Sequence, residues 1–403
     1  MHILLIHQAF AAIDEPGGTR HHELARLLAE AGHRVTVVAG SVSYLTDRPA
    51  GASQAEVDGV RILRPAGYAS WHQSFVKRTV SFVSFMLSSF VAGLRTRQVD
   101  MVWGTSPPLF QVVSAWAIAR LKRAPFVFEV RDLWPHFAVE VGVLRNRLLI
   151  RLAQWLEGFL YRRADLVVIN SPGFRQHVTE RGAAPVELVP NGVDVAMFES
   201  AGDGSAFRRE HGLEGEFVVI YTGAHGLSND LGTALAAAAG LKAEALFVLV
   251  GAGKEKAGLI EQAAGLGADN VRFLPPVPKQ QIPGLLAAAD ACLAILKPLE
   301  AYKTTYPNKV FDYMAAGKPV LLVIDGVIRD VVEAARAGIF VLPGDSSALM
   351  EAVRQLRQDP AEAAAMGQRG RAYVRAHFNR PQQAEQLVSL FEALRAEGAG
   401  ENQ

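Results

Sequence analysis

The stretch Glu300-Ala-Tyr-Lys303-Thr-Thr-Tyr306-Pro307-Asn308-Lys309-Val-Phe-Asp312-Tyr313-Met314-Ala-Ala-Gly317-Lys318-Pro319-Val320 decides the fold. An apolar run, Ala291-Cys-Leu-Ala-Ile-Leu296, precedes its loop, and another, Val320-Leu-Leu-Val-Ile324, follows it. Pro307 suits a helix start, because its missing N–H would have no partner there anyway. Gly317 suits a helix stop, and Pro319 cannot extend the helix. The stretch therefore predicts strand, loop, short helix, strand, which is one unit of a parallel α/β sheet. The N-terminus of such a helix carries free N–H groups and the positive end of a dipole, a ready site for an anion. Lys309 falls in the first turn, where the helix gains nothing from a cation, so a bound anion is a reason for it. Asp312, one turn on, can accept hydrogen bonds from sugar hydroxyls. Taken alone, both charges also suit the solvated face of a helix packed on a sheet.

Working outward, the same pattern recurs on both sides. Phe217-Val-Val-Ile-Tyr-Thr222-Gly223 and Leu246-Phe-Val-Leu-Val250-Gly251-Ala-Gly253-Lys254 each read as a strand running into a glycine turn. A lone Gly-x-Gly is a weak signal by itself. Near the start, Ile3–Ile6 predicts a buried strand. The loop Ala11-Ala-Ile-Asp-Glu-Pro16-Gly17-Gly18-Thr19-Arg20 follows, then a helix with Leu24, Leu27 and Leu28 on one face, then a strand over Val35–Val38. This is the β-loop-α-β opening of a Rossmann-like domain. The loop lacks Gly-x-Gly-x-x-Gly, which argues against a dinucleotide cofactor. Gly17-Gly18 lets backbone amides approach a ligand, though a flexible turn accounts for the pair equally well. Further on, Pro125-Phe-Val-Phe-Glu129 predicts a strand that ends in Val130-Arg131-Asp132-Leu133-Trp134-Pro135-His136. Ligands of open α/β sheets bind at the carboxyl ends of strands, so Arg131, Asp132 and His136 are placed to face a cleft. Asp132 suits the cap of a following helix equally well.

The chain has 403 residues, half of them apolar, which is comfortable for two domains with a core each. Its net charge of +1 implies no nucleic-acid partner. The charge is uneven: 21 Lys and Arg stand against 15 Asp and Glu up to Pro190, and 20 against 25 beyond it. A basic first half suits an anionic partner or a membrane surface. The one cysteine, Cys292, excludes a disulfide framework and any cysteine-based metal site. No Asp-x-Asp and no Cys/His cluster with ligand spacing occurs, so no metal site is expected. Met1-His-Ile-Leu-Leu-Ile already reads as a strand, from which no signal peptide and a cytoplasmic location are expected.

The block 307–320 resembles the C-terminal motif of glycosyltransferase family 4, retaining enzymes of the GT-B fold. That family shows Glu-x7-Glu and then Ala-Met-Ala-x-Gly-x-Pro-Val. Here Asp312 takes the second acidic place, and Thr304 takes the first, where the acid is lost. The Pro-Asn-Lys-Val-Phe-Asp-Tyr-Met version is similar to a subgroup that builds bacterial surface polysaccharides, N-acetylfucosamine transferases among them. Val186-Glu-Leu-Val-Pro190-Asn191-Gly192-Val193-Asp194, ending at Phe198, resembles the segment that closes the family's first domain. The resemblance implies an α/β GT-B architecture, two Rossmann-like domains facing across a cleft. Residues 1–190 would form the acceptor domain, joined by a returning C-terminal helix over about 376–397, and 191–375 the nucleotide-sugar domain.

It also implies roles. Gly17 and Gly18 would approach the donor diphosphate, as would Gly223, Gly251, Gly253 and Lys254. Val277 lies in the segment whose backbone holds the base. Asn308, Lys309 and Asp312 would hold the donor. The family continues its second-domain strand with Gly-Arg, and a Lys five residues later, both on the diphosphate. Here those places hold Ala224 and Asn229, so the contacts fall to His225, Lys309 and Lys303. Arg131 stands where many members have a His near the donor sugar, and Asp132 or else His136 would orient or deprotonate the acceptor. No cofactor is implied, only a UDP-sugar substrate. The acceptor implied is a glycan, often linked to polyprenyl diphosphate. A sugar-nucleotide epimerase and an inactive nucleotide-sugar binder share the fold and remain open.

Two stretches suit a lipid surface. Thr79–Leu94 is apolar nearly all round apart from a stripe of Ser81, Ser84 and Ser88, with Lys77-Arg78 at one end and Arg95 and Arg97 at the other. It is short of the about 20 apolar residues a spanning helix needs. Over 144–163, Leu148, Leu152, Trp155, Leu156 and Phe159 form one face ringed by Arg145, Arg147, Arg151, Arg162 and Arg163. Basic residues beside an apolar face suit an anionic leaflet, so peripheral binding is expected, with Phe85 and Phe90 among the contacts. A buried helix of the first domain is the competing reading of 79–94.

Overall fold

The computed structural model describes residues 1–71 and 75–400. They form two compact units, Met1–Pro190 with Pro381 onward, and Asn191–Arg380.

The strands of the first unit are β1 (His2–His7), β2 (Arg34–Ala39), β3 (Gln54–Val57), β4 (Val60–Leu63), β5 (Met101–Ser106), β6 (Phe126–Val130), β7 (Leu166–Ile169) and β8 (Val186–Leu188). They make one sheet in the order β3-β4-β2-β1-β5-β6-β7-β8. All pairs are parallel except β3 with β4, which a two-residue turn at Asp58-Gly59 joins. Side chains alternate across the sheet. Ile3 and Leu5 of β1 join one core, and Leu4 and Ile6 join the other. Such strands are continuous apolar runs because helices cover both faces. Each fully buried Ile or Leu contributes about 1.5–3 kcal/mol of transfer free energy. The helix Arg20–Glu30 and the last helix, Arg380–Gly400, cover one face, the latter through Leu387 and Phe391. The Phe391 ring meets that of Trp103 at 5.7 Å. The helices Phe75–Arg95, Leu109–Lys122 and Arg147–Tyr161 cover the other.

The second unit has β9 (Val218–Thr222), β10 (Leu246–Val250), β11 (Val271–Leu274), β12 (Ala291–Ile295), β13 (Val320–Val323) and β14 (Gly338–Phe340). They form a wholly parallel sheet in the order β11-β10-β9-β12-β13-β14. The same alternation sends Val218 and Ile220 to one core and Val219 and Tyr221 to the other. The 191–194 segment is structural: Val193 bridges Asn379, and the Arg380 guanidinium donates to the Gly192 carbonyl. The α/β class with two doubly wound parallel sheets agrees with the sequence. Strand order reverses between β1 and β5 in the first unit and between β9 and β12 in the second. Those switch points open crevices at the carboxyl ends of the strands, where ligands of such sheets bind.

Candidate active site

In the second unit, the loops after β9, β10 and β12 converge. The helix Asn308–Ala315 starts behind Pro307 with no side-chain cap, which leaves its first N–H groups open to an anion. Its Tyr313 hydroxyl accepts from Thr222 N at 2.9 Å, fixing the helix under the end of β9. That brings the half-buried Lys309 ammonium against the loop after β9. It lies 3.9 Å from the centre of the Tyr221 ring and 3.5 Å from Asn229 Oδ1. A Cβ on Gly223, whose φ is +144°, would sit 2.7 Å from Lys309 Nζ, and one on Gly251 only 1.8 Å from Gly223 O. Only glycine lets these backbones meet. Gly253 packs against the backbone of His225, and His225 N donates to Ala252 O at 2.9 Å.

The charges here are unbalanced. Burial pulls Lys309 down to about 7. The His225 ring is fully buried with neither nitrogen bonded; burial first, then Lys256 and Lys309, lower it to about 4. Lys256 donates to Gly251 O at 2.8 Å and Leu274 O at 2.7 Å, which pins the glycine turn. Among the described residues no carboxylate pairs with Lys256 or Lys309. Two lysine amines, a neutral imidazole and glycine backbones without a carboxylate among the described residues have the chemistry to accept an anion.

The other predicted donor residues lie as follows. Lys254 is exposed at the same turn, two residues before Lys256, which sequence reasoning missed. Asn308 Oδ1 is buried without a hydrogen-bond partner. Val277 is half-buried against the apolar core. Asp312 Oδ1 accepts from Lys279 Nζ at 2.6 Å, with both side chains largely buried. Lys279, 33 residues away, carried no sequence signal. Lys303 pairs with Glu300 at 2.7 Å and stands 4.0 Å from Asp325. It lines a pocket of about 230 Å³ with Lys297, Tyr302, Asp325 and Leu342.

In the first unit, Arg131 follows β6 and donates from Nε to Thr105 Oγ1 at 2.9 Å. Its terminal nitrogens have no hydrogen-bond partner among the described residues. Asp132 is half-buried and its carboxylate accepts no hydrogen bond from them either. Burial raises its pKa to about 6, against the opposing pull of Arg131. Asp132 is not a helix cap: the next helix, His136–Glu140, begins behind Pro135 with no side-chain cap. His136 is 43% exposed, with Nε2 3.4 Å from Glu140 Oε1. Gly17 sits against Ala11 and Tyr44, and Gly18 N donates to the Tyr44 hydroxyl at 3.0 Å. Tyr44 thus occupies an amide that the sequence left open for a ligand. Arg131 and Asp132 lie within electrostatic reach of that hydroxyl.

Beneath these residues Glu129 accepts from Arg20 Nε at 2.9 Å and from His21 Nε2 at 2.5 Å, all three buried. Burial alone would raise Glu129, but His21 and Arg20 outweigh it and hold the carboxyl well below its usual range. Burial lowers His21 to about 4 against the pull of Glu129, so a neutral imidazole donates here. Among the described residues no three His, Cys, Asp or Glu side chains group to hold a metal ion.

Two doubly wound α/β units in one chain are the fold of the GT-B glycosyltransferases. Residues 17–192 match the family of glycosyl transferase 4-like domains, and residues 204–373 match the glycosyl transferases group 1. The chain thus carries a glycosyl transferase 4-like domain followed by a glycosyl transferases group 1 domain. It is 26% identical to the putative colanic acid biosynthesis glycosyl transferase WcaI of Escherichia coli K12, over 73% of this chain and 76% of that protein. It is 24% identical to a glycogen synthase of Mycobacterium tuberculosis, over 94% and 91%. The fold is similar to that of sucrose-phosphate synthase from Thermosynechococcus elongatus, with a TM-score of 0.79 and 19% identity over 98% of this chain and 100% of that one. Anabaena HepE, solved with UDP-glucose, gives a TM-score of 0.73 at 18% identity, over 98% and 100%.

Proposed function

We propose that this glycosyltransferase moves a sugar from a UDP-linked donor, with retention at the anomeric carbon, to a lipid-linked glycan acceptor in surface-polysaccharide synthesis. The observation that carries the reading is the cradle of Gly223, Gly251, His225, Lys256 and Lys309, with two lysines and no carboxylate partner for them among the described residues. It suits the diphosphate of the donor and the charge that develops on it as the sugar leaves. Asp312, with Lys279, is assigned to the ribose hydroxyls. Arg131 and Asp132 are assigned to the acceptor. N-acetylfucosamine is the first sugar to try, from the resemblance of residues 307–314 to that subgroup. Incubation with a panel of UDP-sugars and a polyprenyl-diphosphate-linked acceptor, with UDP release measured, tests this. Acceptor-dependent release is expected. Conversion of a UDP-sugar without acceptor would indicate an epimerase, and binding without turnover an inactive binder. Activity is expected to survive a chelator, with the cradle doing the work a metal does elsewhere; strict dependence on added magnesium or manganese would count against this.

The reading includes work at an anionic membrane from its cytoplasmic side. No helix among the described residues is long and apolar enough to cross a membrane. The helix Leu109–Lys122 packs against both Phe75–Arg95 and Arg147–Tyr161. These three helices contain one acidic side chain, the fully buried Glu157. They expose Val76, Val80, Leu87, Val91 and Leu94 from the first, Leu121 from the second, and Leu148 (66%), Leu152 and Trp155 (62%) from the third. Lys77, Arg95, Arg120, Arg145, Arg147 and Arg151 are exposed on the same helices or beside them. The structure corrects the expected contacts within Thr79–Leu94. Phe85 is 5% exposed and Phe90 packs against the core. The serine side faces inward: Ser81 Oγ accepts from Ser70 N, and Ser84 Oγ from Tyr68 N. Wild type is therefore expected to float with anionic vesicles at low salt, and Leu148→Asp with Trp155→Asp to stay with the soluble fraction. A wild type that never floats would count against membrane association.

A further inference from the structure

Four aromatic rings in the first unit lie in a row and belong to neither of its apolar cores. Tyr44 comes from the loop after β2, Trp71 from the segment before the helix Phe75–Arg95, Phe82 from that helix, and Phe110 from the helix after β5. Ring centres are 6.2 Å apart for Tyr44 and Trp71, 5.6 Å for Trp71 and Phe82, and 6.2 Å for Phe82 and Phe110. All four are half-buried. The row is fixed at one end by the Gly18 N–H on Tyr44 Oη, and at Trp71 by its backbone N–H on Asp47 Oδ1 at 2.9 Å. Tyr44 Oη lies within electrostatic reach of Arg131 and Asp132. A contiguous, partly exposed apolar surface next to a few fixed polar groups is the usual form of a small-molecule site.

We propose that Tyr44, Trp71, Phe82 and Phe110 form the subsite for the isoprenoid chain of a polyprenyl-diphosphate-linked acceptor, with the free terminal nitrogens of Arg131 on its diphosphate. This rests on the lipid-linked acceptor proposed above and adds where the lipid is held. The wall is apolar and its Tyr44 end lies within electrostatic reach of the Arg131 guanidinium as well as the Asp132 carboxylate, which suits a ligand that is apolar along its length and anionic where it meets Arg131. Four rings in series match a chain rather than one sugar ring. A saccharide would also need several hydrogen-bonding side chains along the wall, and among these four side chains only the Tyr44 hydroxyl and the Trp71 indole N–H can make such bonds.

The test is calorimetric binding of farnesyl phosphate, a short water-soluble probe, with UDP binding as the check on folding. Wild type is expected to bind farnesyl phosphate far more tightly than inorganic phosphate. Trp71→Ala and Phe110→Ala, made separately, are each expected to weaken that binding about tenfold and leave UDP binding unchanged, while Trp71→Phe restores most of it. Unchanged affinity in whichever alanine variant still binds UDP overturns the proposal. So does a wild type that binds the farnesyl and inorganic phosphates alike, or a loss of affinity for a soluble saccharide acceptor instead. A wild type that turns over a UDP-sugar but does not bind farnesyl phosphate overturns the wall alone. One that binds farnesyl phosphate and turns over no nucleotide sugar overturns the transferase reading and leaves the wall standing.

Discussion

Asp132→Asn is expected to lower acceptor-dependent transfer by about 10²–10⁴-fold, the usual contribution of a placed acid or base. Asp132 is a half-buried carboxylate with no hydrogen-bond partner among the described residues, raised to about 6 by burial. It is therefore ionised at neutral pH yet basic enough to accept a proton from a hydroxyl. The rate of wild type should fall as pH drops through 6, because protonation removes the base, and this limb should be missing from the residual activity of the variant. Stability should move the other way. A carboxyl whose folded pKa lies above its unfolded value destabilises the fold once it ionises. That cost is absent below about 4, grows as pH rises to 6, and is complete above it. Removing the charge should raise stability at pH 8 by about 1–2 kcal/mol, a figure reduced for partial exposure, and raise the melting temperature. A variant with full activity, or one active but less stable than wild type at pH 8, would sink the assignment. Loss of activity together with gain in stability is the mark of a strained functional group, which a packing residue would not show.

The fold was legible because its signals are local. Pro307 and Gly317 bracket the helix Asn308–Ala315, and apolar runs mark strands that helices cover on both faces. The site was less legible because its contacts are not local. Lys279 meets Asp312 across 33 residues, and Tyr44 meets Gly18 across 26. No periodicity spans such distances. At the turn after β10, Lys254 and Lys256 are equivalent as sequence. The start of the helix Lys256–Gly265 decides which ammonium folds back on Gly251. The helix Phe75–Arg95 shows the converse problem. It is apolar nearly all round, so its pattern does not say which side meets the core. The Ser70 N–H decides it, because it is buried where the chain crosses the helix and needs an acceptor, which Ser81 supplies, and the exposed Tyr68 N–H meets Ser84 beside it. That places Phe85 inside and Val80, Leu87 and Val91 outside.

Lys309→Ala is expected to weaken binding of a UDP-sugar by about 10- to 100-fold, the range for one charge-assisted hydrogen bond to a phosphate. Its pH dependence is the sharper test. Burial holds Lys309 near 7 in the free protein. A bound diphosphate favours the ammonium form and raises its pKa, so donor binding takes up a proton. Affinity should be level below pH 7 and fall by up to about tenfold for each unit above it, until the pKa of the bound state is reached. The probe should be UDP-glucose rather than UDP, because its diphosphate is esterified at both ends and does not itself titrate near neutrality. His225, at about 4, stays neutral across this range and adds nothing to the slope. Lys256 is lowered by burial too, but it already donates to two carbonyls, so its exchange of partners is smaller. Calorimetry at pH 8 in two buffers of different ionisation enthalpy should show uptake of most of one proton by wild type and none by Lys309→Ala. Equal enthalpies in the two buffers for wild type, with affinity level from pH 6 to 8.5, would remove Lys309 from the diphosphate and leave the cradle without its principal cation.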